Sequence, residues 1–109
     1  MARLDGTAAI VTGAAQGIGA TYAKALAAEG ARVSVCDLES PAAVVQEIRN
    51  AGGEAIGRVC DVSDPQAVVA LVEATERAFG GVQVLINNAA LFGKIALKPF
   101  ITYQQGEIL

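Results

Sequence analysis

Four short apolar runs, at residues 7–12, 31–36, 55–60 and 82–86, alternate with three longer segments that have the hydrophobic spacing of helices. This alternation restricts the fold more than any other feature of the chain. A helix between two strands carries the chain back to the edge of the sheet where the first strand began, so consecutive strands pair in parallel. The sequence therefore predicts one α/β domain with a parallel sheet and with helices packed against it.

The first predicted helix begins at Gly17, and Gly30 provides its stop signal. Its apolar stripe is predicted from Ile18, Tyr22 and Leu26, which recur every four residues.

The two later helices have clearer start signals. Ser40 is the predicted N-cap of the second helix, with Pro41 in its first turn, and Ser63 with Gln66 forms a predicted capping box for the third. The predicted inner faces consist of Val44, Val45 and Ile48 in the second helix and of Val68, Leu71, Val72, Thr75 and Phe79 in the third. The run at 55–60 contains a glycine and an arginine, which favours a strand near the edge of the sheet.

Composition and charge exclude several classes of function. The net charge of −3 comes from acids scattered among lysines and arginines, without a basic stretch to neutralise a run of phosphates, so nucleic acid is not an expected partner. No apolar run reaches the roughly 18 residues that cross a membrane, and the first six residues lack the apolar core of a secretion signal. We therefore expect a cytoplasmic protein with no membrane partner.

Cys36 and Cys60 each end an apolar run directly before an aspartate. We expect both to be buried as small hydrophobic side chains, and a disulfide is the alternative, which the reducing cytosol disfavours. The chain has no histidine, and neither cysteine has neighbours at the spacing of metal ligands, so no metal site is predicted.

The most polar residues after each apolar run are Gly13, Asp37, Asp61 and the pair Asn87-Asn88. In an open parallel sheet, ligands bind at the carboxyl edge of the strands, where the strand order reverses. These residues are therefore the candidates for a ligand site. Two amides directly after an apolar strand need backbone or ligand partners, although an Asn-rich turn is the alternative explanation.

Residues 12–19, TGAAQGIG, connect the first strand directly to the first helix. Free N–H groups at a helix N-terminus and residues without a Cβ let a diphosphate approach the backbone closely. The spacing GxxxGxG differs from the commoner GxGxxG, so the general dinucleotide fingerprint is not met. The alternative is a tight strand-to-helix turn that binds nothing.

Asp37 directly follows the second strand, where the ribose of an adenosine would lie. A carboxylate there accepts hydrogen bonds from both ribose hydroxyls and repels the additional phosphate of NADP. No arginine or lysine at residues 36–39 or in the glycine segment offsets that repulsion, so NAD is the predicted cofactor. The alternative for Asp37 is a solvated acid or a helix cap, and Asp61 with Ser63 has the alternative of serving only the next helix.

Taken in order and spacing, TGxxxGxG at residues 12–19, Asp37, Asp61-Val62 and Asn87-Asn88-Ala89 resemble the classical short-chain dehydrogenase/reductase family. The resemblance spans about residues 3–100. It implies a Rossmann-type doubly wound parallel sheet, of which only the first half is present, with about four strands, three helices and the start of a fourth. It also implies a homo-oligomer, a dimer or a tetramer, that oxidises an alcohol or reduces a ketone with a nicotinamide cofactor.

The resemblance further implies roles for individual residues. The glycine segment holds the diphosphate, Asp37 takes the ribose, Asp61 and Val62 border the adenine, and Asn88 and Ala89 line the path toward the nicotinamide, while Thr12 with Asn87 ties the first strand to the fourth. The complete set of predicted cofactor-binding residues is Gly13, Gly17, Ile18, Gly19, Asp37, Leu38, Asp61, Val62, Asn88 and Ala89. Ala90 stands where the family usually has glycine.

No catalytic residue is predicted in this chain. The family uses a serine and then a tyrosine with a lysine four residues later, whereas Tyr103 is followed by Glu107, and a glutamate would stabilise the protonated phenol. Residues 1–109 are therefore interpreted as a partial NAD-binding domain that stops before the catalytic half. Two alternatives stay open, namely a catalytically silent nucleotide-binding or assembly module and a methyltransferase-type sheet.

Overall fold

The computed structural model describes residues 3–88, in which strands and helices alternate strictly. The elements are β1 (Ala8–Thr12), α1 (Gly17–Ala28), β2 (Arg32–Asp37), α2 (Ala42–Asn50), β3 (Glu54–Val59), α3 (Pro65–Phe79) and β4 (Val84–Asn87). The predicted α/β alternation is confirmed, and the ends of each predicted strand lie within two residues of those observed. The predicted start of a fourth helix lies outside the described residues.

The four strands form one parallel sheet in the order β3-β2-β1-β4. β1 lies between β2 and β4, and the register aligns Thr12 with Cys36 on one side and with Asn87 on the other. The chain moves outward from β1 to β3 and then returns to the opposite side of β1, which is the order reversal of a doubly wound sheet. β3 lies at one edge, as Gly57 and Arg58 predicted, and both of these residues are exposed.

Each face of the sheet packs against its own helices, because successive strand residues point to opposite sides. Val11 of β1 belongs to the core under α1 and α2, whereas the preceding Ile10 belongs to the core under α3. The first core also contains Val33, Val35, Val44, Val45 and Ile48, and the second contains Cys36, Cys60 and Leu71. β1 is thus buried on both faces, and all five of its residues are buried.

The predicted apolar stripe of α1 is wrong at Ile18 and Tyr22, whereas Leu26 packs against the core under α1 and α2 as predicted. Ile18 is 64% exposed and Tyr22 is 45% exposed, while the side of α1 that is buried consists of Gly19, Ala20 and Ala23. Small side chains let the backbone of the helix lie close to the sheet, where larger side chains would not fit. In a helix rich in alanine, the spacing of the large residues therefore does not identify the inner face.

The predicted start of α2 is displaced by one residue. The helix begins at Ala42 and Pro41 occupies the N-cap position, so Ser40 lies one residue further out than predicted. The Ser40 hydroxyl nevertheless accepts a hydrogen bond from the Ala42 N–H at 3.3 Å.

The predicted capping box of α3 is also wrong. The N-cap is Asp64, whose carboxylate accepts a hydrogen bond from the Gln66 N–H at 3.0 Å, and Pro65 fills the first helical position. Ser63 instead donates its hydroxyl to Asp61 at 2.7 Å. Two potential caps stand side by side here, and the proline selects the residue directly before it.

The core under α3 contains polar groups, and each has a partner. Thr75 and Ser34 are buried, with their hydroxyl oxygens 2.9 Å apart, and the Thr75 hydroxyl also lies 2.8 Å from the Leu71 carbonyl oxygen. Cys36 and Cys60 are buried as free thiols, which confirms the prediction that they pack as small hydrophobic residues. Burial, reinforced by the neighbouring Cys60, raises the pKa of Cys36 to about 12.

Candidate cofactor-binding site

Polar residues collect at the carboxyl edge of the sheet, because β1, β2 and β4 all end there. Thr12, Asp37 and Asn87 are the last residues of these strands, and Asn88 follows directly. The loop that leaves β1 therefore emerges between the end of β2 and the end of β4. This is the point where the strand order reverses and where an open α/β sheet forms a crevice.

The glycine segment turns sharply into α1. Gly13 and Gly17 both have φ of +63°, a left-handed conformation that glycine adopts without steric penalty. Gln16 occupies the N-cap position without a side-chain hydrogen bond, and the first turn contains no acidic residue. The first N–H groups of α1 thus have no side-chain cap of the kind that Asp64 provides for α3, and the space beside the Cα of Gly17 is open.

Gly19 allows α1 to touch the loop that precedes it. A Cβ at this position would lie 2.8 Å from the Gly13 carbonyl carbon, closer still to its oxygen, and 2.7 Å from Asn88 Nδ2. Contacts of a Cβ below 3.0 Å are essentially never seen, so the observed packing requires glycine. The helix N-terminus, the loop and the end of β4 therefore meet at this residue.

Asp37 connects the end of β2 to the glycine segment. Its Oδ2 accepts a hydrogen bond from the Ala15 N–H at 2.9 Å, and its Oδ1 accepts one from the Glu39 N–H at 3.4 Å. The Ala14 N–H donates to the Cys36 carbonyl oxygen at 3.0 Å. Two successive loop amides are thus bonded to the end of β2, one through the backbone and one through the carboxylate.

The two asparagines connect the end of β4 to the same loop. The Thr12 hydroxyl donates to Asn87 Oδ1 at 2.9 Å and accepts from the Asn88 N–H at 3.0 Å. Asn88 Nδ2 donates to the Gly13 carbonyl oxygen at 3.2 Å. The asparagine pair therefore bonds to β1 and to its loop, which agrees with the expected tie between the first and fourth strands.

Asp61 lies on the surface after β3 and organises the turn that leads into α3. Its Oδ1 accepts hydrogen bonds from the Ser63 hydroxyl at 2.7 Å and from the Ser63 N–H at 2.9 Å. The Ser63 hydroxyl bond and then the Ser63 backbone bond hold the pKa of the Asp61 carboxyl below its ordinary value. Val62 is partly buried against the core under α3.

Comparison with known proteins identifies the family of this chain. A family model described as short chain dehydrogenase matches residues 7–108. The chain belongs to the short-chain dehydrogenase family. Its sheet order and the position of its glycine segment are consistent with that membership.

Relatives of this short-chain dehydrogenase include oxidoreductases and a hydroxysteroid dehydrogenase. An oxidoreductase of Methylorubrum extorquens is 46% identical over 101 residues, which cover 90% of this chain and 41% of that protein. The 7alpha-hydroxysteroid dehydrogenase of Escherichia coli is 43% identical over 100 residues, covering 90% and 38%. The crystal structure of a hydroxysteroid dehydrogenase from Escherichia coli matches with a TM-score of 0.80 and 41% identity, covering 84% of this chain and 40% of that one. The chain thus spans about two fifths of the length of these relatives.

The structure brings only part of the predicted cofactor-binding set into direct contact. Asp37 and Asn88 bond to the loop that contains Gly13, and Gly19 packs against that loop. Leu38 is 62% exposed next to Asp37, and Ile18 is similarly exposed on α1. Asp61 and Val62 follow β3, further from β1 in the sheet order. Ala89, Ala90 and Tyr103 lie outside the described residues.

One residue of the site was missed by the sequence analysis. Ala15 contributes its backbone N–H to Asp37, and a backbone contribution has no side-chain signature in the sequence.

Within residues 3–88, no three His, Cys, Asp or Glu side chains are grouped in a way that could hold a metal ion. Over the same residues, no helix has the length and the hydropathy needed to cross a membrane.

Proposed function

We propose that this short-chain dehydrogenase binds NAD at the carboxyl edge of the sheet, and that the whole protein transfers hydride between NAD and an alcohol or a ketone. The main support is one juxtaposition. α1 begins without a side-chain cap at Gly17, which like Gly13 has left-handed backbone, and the carboxylate of Asp37 lies at the end of the adjacent strand. An anion and a sugar hydroxyl are the groups that such an arrangement fits.

The residues fit a dinucleotide in a specific way. The diphosphate would rest on the backbone of Gly17, Ile18 and Gly19, where free N–H groups and the positive end of the helix dipole favour negative charge. The remaining predicted contacts are Gly13 at the turn, Asp37 at the ribose with Leu38 next to it, Asp61 and Val62 at the adenine, and Asn88 with Ala89 toward the nicotinamide. Bound NAD would supply the hydride acceptor, and residues 3–88 would supply binding and orientation.

Preference for NAD over NADP follows from the charge of Asp37. Its two carboxylate oxygens offer about four acceptor positions, and the Ala15 and Glu39 N–H groups use two of them. Two positions therefore remain for the two ribose hydroxyls. The phosphate of NADP would meet this negative charge, and residues 36–39 and 13–19 contain no arginine or lysine to balance it.

The rest of the proposal concerns the whole protein. We propose that residues 1–109 carry the cofactor-binding half and that the catalytic residues lie in the remaining part of the protein, since the relatives are more than twice as long. Galactitol 2-dehydrogenase of Agrobacterium fabrum, 41% identical over 90 residues, and the 7alpha-hydroxysteroid dehydrogenase are both dehydrogenases, which supports a small-molecule alcohol or ketone as substrate. A cytoplasmic homo-oligomer is the proposed form.

Calorimetric titration of the full-length protein with NAD and with NADP tests this proposal. We expect NAD to bind more tightly, and Asp37→Ala to weaken NAD binding at least about tenfold, because hydrogen bonds to a charged group contribute roughly 1.5–3 kcal/mol. Glu39→Ala is the matched control, since it removes an exposed acid two residues away without removing the ribose acceptor. Absence of heat with NAD would contradict the proposal. NAD binding without turnover of any alcohol or ketone would favour a catalytically silent nucleotide-binding module.

A further inference from the structure

The carboxylate of Asp37 is hydrogen-bonded to the glycine segment. Its Oδ2 lies 2.9 Å from the N–H of Ala15, and this bond is partly shielded from solvent. Ala15 and Gln16 are the last two residues before α1 begins at Gly17. The residue proposed to hold the ribose therefore also contacts the segment proposed to hold the diphosphate.

We propose that Asp37 is a positioning residue for the diphosphate-binding N-terminus of α1, acting through the N–H of Ala15. This inference rests on the proposed function and adds a second role to the ribose contact. Asp37 sets the position of the loop through this hydrogen bond. Binding of the diphosphate, which does not touch Asp37, then depends on this side chain as well.

At the end that enters α1, the loop of residues 13–16 is held by few other hydrogen bonds. Gly13 and Gly17 both adopt left-handed backbone, and glycine loses more conformational entropy on ordering than any other residue. The first part of the loop is held by the Asn88 amide on the Gly13 carbonyl oxygen and by the Ala14 N–H on the Cys36 carbonyl oxygen. At Ala15 the anchor is the Asp37 carboxylate, and bonds to ionised acceptors are stronger than bonds between neutral groups.

This arrangement couples cofactor preference to loop geometry. An exchange of Asp37 for arginine, designed to accept the phosphate of NADP, would also remove the acceptor of the Ala15 N–H. Such a variant would lose order at the diphosphate site while it gained charge complementarity at the ribose. A neutral side chain that still accepts the Ala15 N–H separates the two effects.

Asp37→Asn and Asp37→Leu provide that separation in the full-length protein. Both side chains are uncharged and close in size to aspartate, but only asparagine can accept the Ala15 N–H. We expect the amide of Ala15 to exchange with solvent at least about tenfold faster in the leucine variant than in the asparagine variant, measured by NMR hydrogen exchange. Inorganic pyrophosphate, which has no ribose, should bind about tenfold more weakly to the leucine variant, as judged by calorimetry.

The Ala14 amide is the internal control, because its partner is the backbone of Cys36 and not the Asp37 side chain. It should exchange slowly in both variants. Equal exchange of Ala15 in the two variants would overturn the inference, and so would equal acceleration of Ala14 and Ala15 in the leucine variant. If Asp37→Leu does not fold, Asp37→Ala replaces it in the same comparison. Failure of the wild type to bind NAD would contradict the proposed function alone, since the exchange measurement needs no ligand.

Discussion

Replacement of Gly19 by alanine tests the close contact on which the geometry of the glycine segment depends. Gly19 lies in the first turn of α1 and is not among the glycines with positive φ. Helix propensity alone predicts that alanine stabilises such a position by roughly 0.5–1 kcal/mol. The structure instead predicts that alanine at this position destabilises the protein.

The magnitude follows from the neighbours of the added methyl group. It would lie 2.7 Å from Asn88 Nδ2 and 2.8 Å from the Gly13 carbonyl carbon, below the 3.0 Å that real Cβ atoms keep. Gly13 cannot move freely, because it has left-handed backbone and its carbonyl oxygen accepts the Asn88 amide. Overpacking costs about 1–3 kcal/mol, and loss of the Asn88 bond adds about 0.5–1.5 kcal/mol. After subtraction of the helix gain, we expect a net destabilisation of about 2 kcal/mol.

Urea denaturation of the full-length protein measures this change as a shift of the unfolding midpoint at constant slope. Ala25→Gly on the exposed side of the same helix is the control, with an expected loss of about 1 kcal/mol from helix propensity alone. NMR of the Asn88 side-chain amide in Gly19→Ala should show displacement of its resonances. A variant as stable as the wild type, or more stable, would refute the packing described for Gly19.

Three further predictions concern α3 and the core beneath it. Asp64→Ala should destabilise the protein by about 1 kcal/mol in urea denaturation, and Ser63→Ala by less, because Asp64 is the N-cap; the reverse order would support the capping box predicted from sequence. Thr75→Val should lower the free energy of unfolding by about 1–3 kcal/mol because Ser34 loses its buried partner, and a neutral effect would show that this hydroxyl pair does not stabilise the fold. Cys36 should resist iodoacetamide at neutral pH until the protein unfolds, since the thiolate is the nucleophile and burial raises its pKa from 9.0 to about 12. Rapid labelling of the folded protein would contradict the burial described. Because the pKa of Cys36 is higher in the folded state than in the unfolded state, its contribution to stability is complete below pH 9.0 and declines as the pH rises toward 12.

The order of elements and the edge position of β3 were predictable because they depend on local patterns. Apolar runs such as residues 31–36 are short and rich in valine, and helical segments separate them at lengths that require parallel pairing. Gly57 and Arg58 disfavour a central strand, since a buried arginine would need a partner and a glycine contributes little packing. Both of these properties can be recognised within a few residues of the chain.

The inner face of α1 and the cap of α3 were not predictable in the same way. Ile18 and Tyr22 mark one side of α1, but alanine and glycine occur all around the helix and occupy the buried side. Which side faces the sheet depends on how closely the helix approaches it, and this distance is a tertiary property. At α3, Ser63 and Asp64 are both good N-caps, and only the geometry of the turn at Asp61 shows which one accepts the N–H.

The bonds inside the candidate site connect residues that are distant in sequence. Asp37 and Ala15 are 22 residues apart, and Asn88 and Gly13 are 75 apart. The sequence predicts Asp37 and Asn88 at the same edge of the sheet, since each follows a predicted strand. Their orientation toward the loop could not be predicted, because it depends on the strand order and on the register of β2 and β4 with β1.

The strand order explains why the candidate site lies at β1 and not at another strand. β1 is the central strand that receives one neighbour from the first crossover and another from the third, so the loop after it lies between two strand ends. The loop after β2 has β1 on one side and the edge strand β3 on the other, and the Cys60 N–H already bonds to the Asp37 carbonyl oxygen there. Among the loops within residues 3–88, only the β1 loop combines an uncapped helix N-terminus with an acid from one neighbour and an amide from the other. A change of strand order would separate these three groups even if every residue stayed the same, so the topology itself is a component of the site.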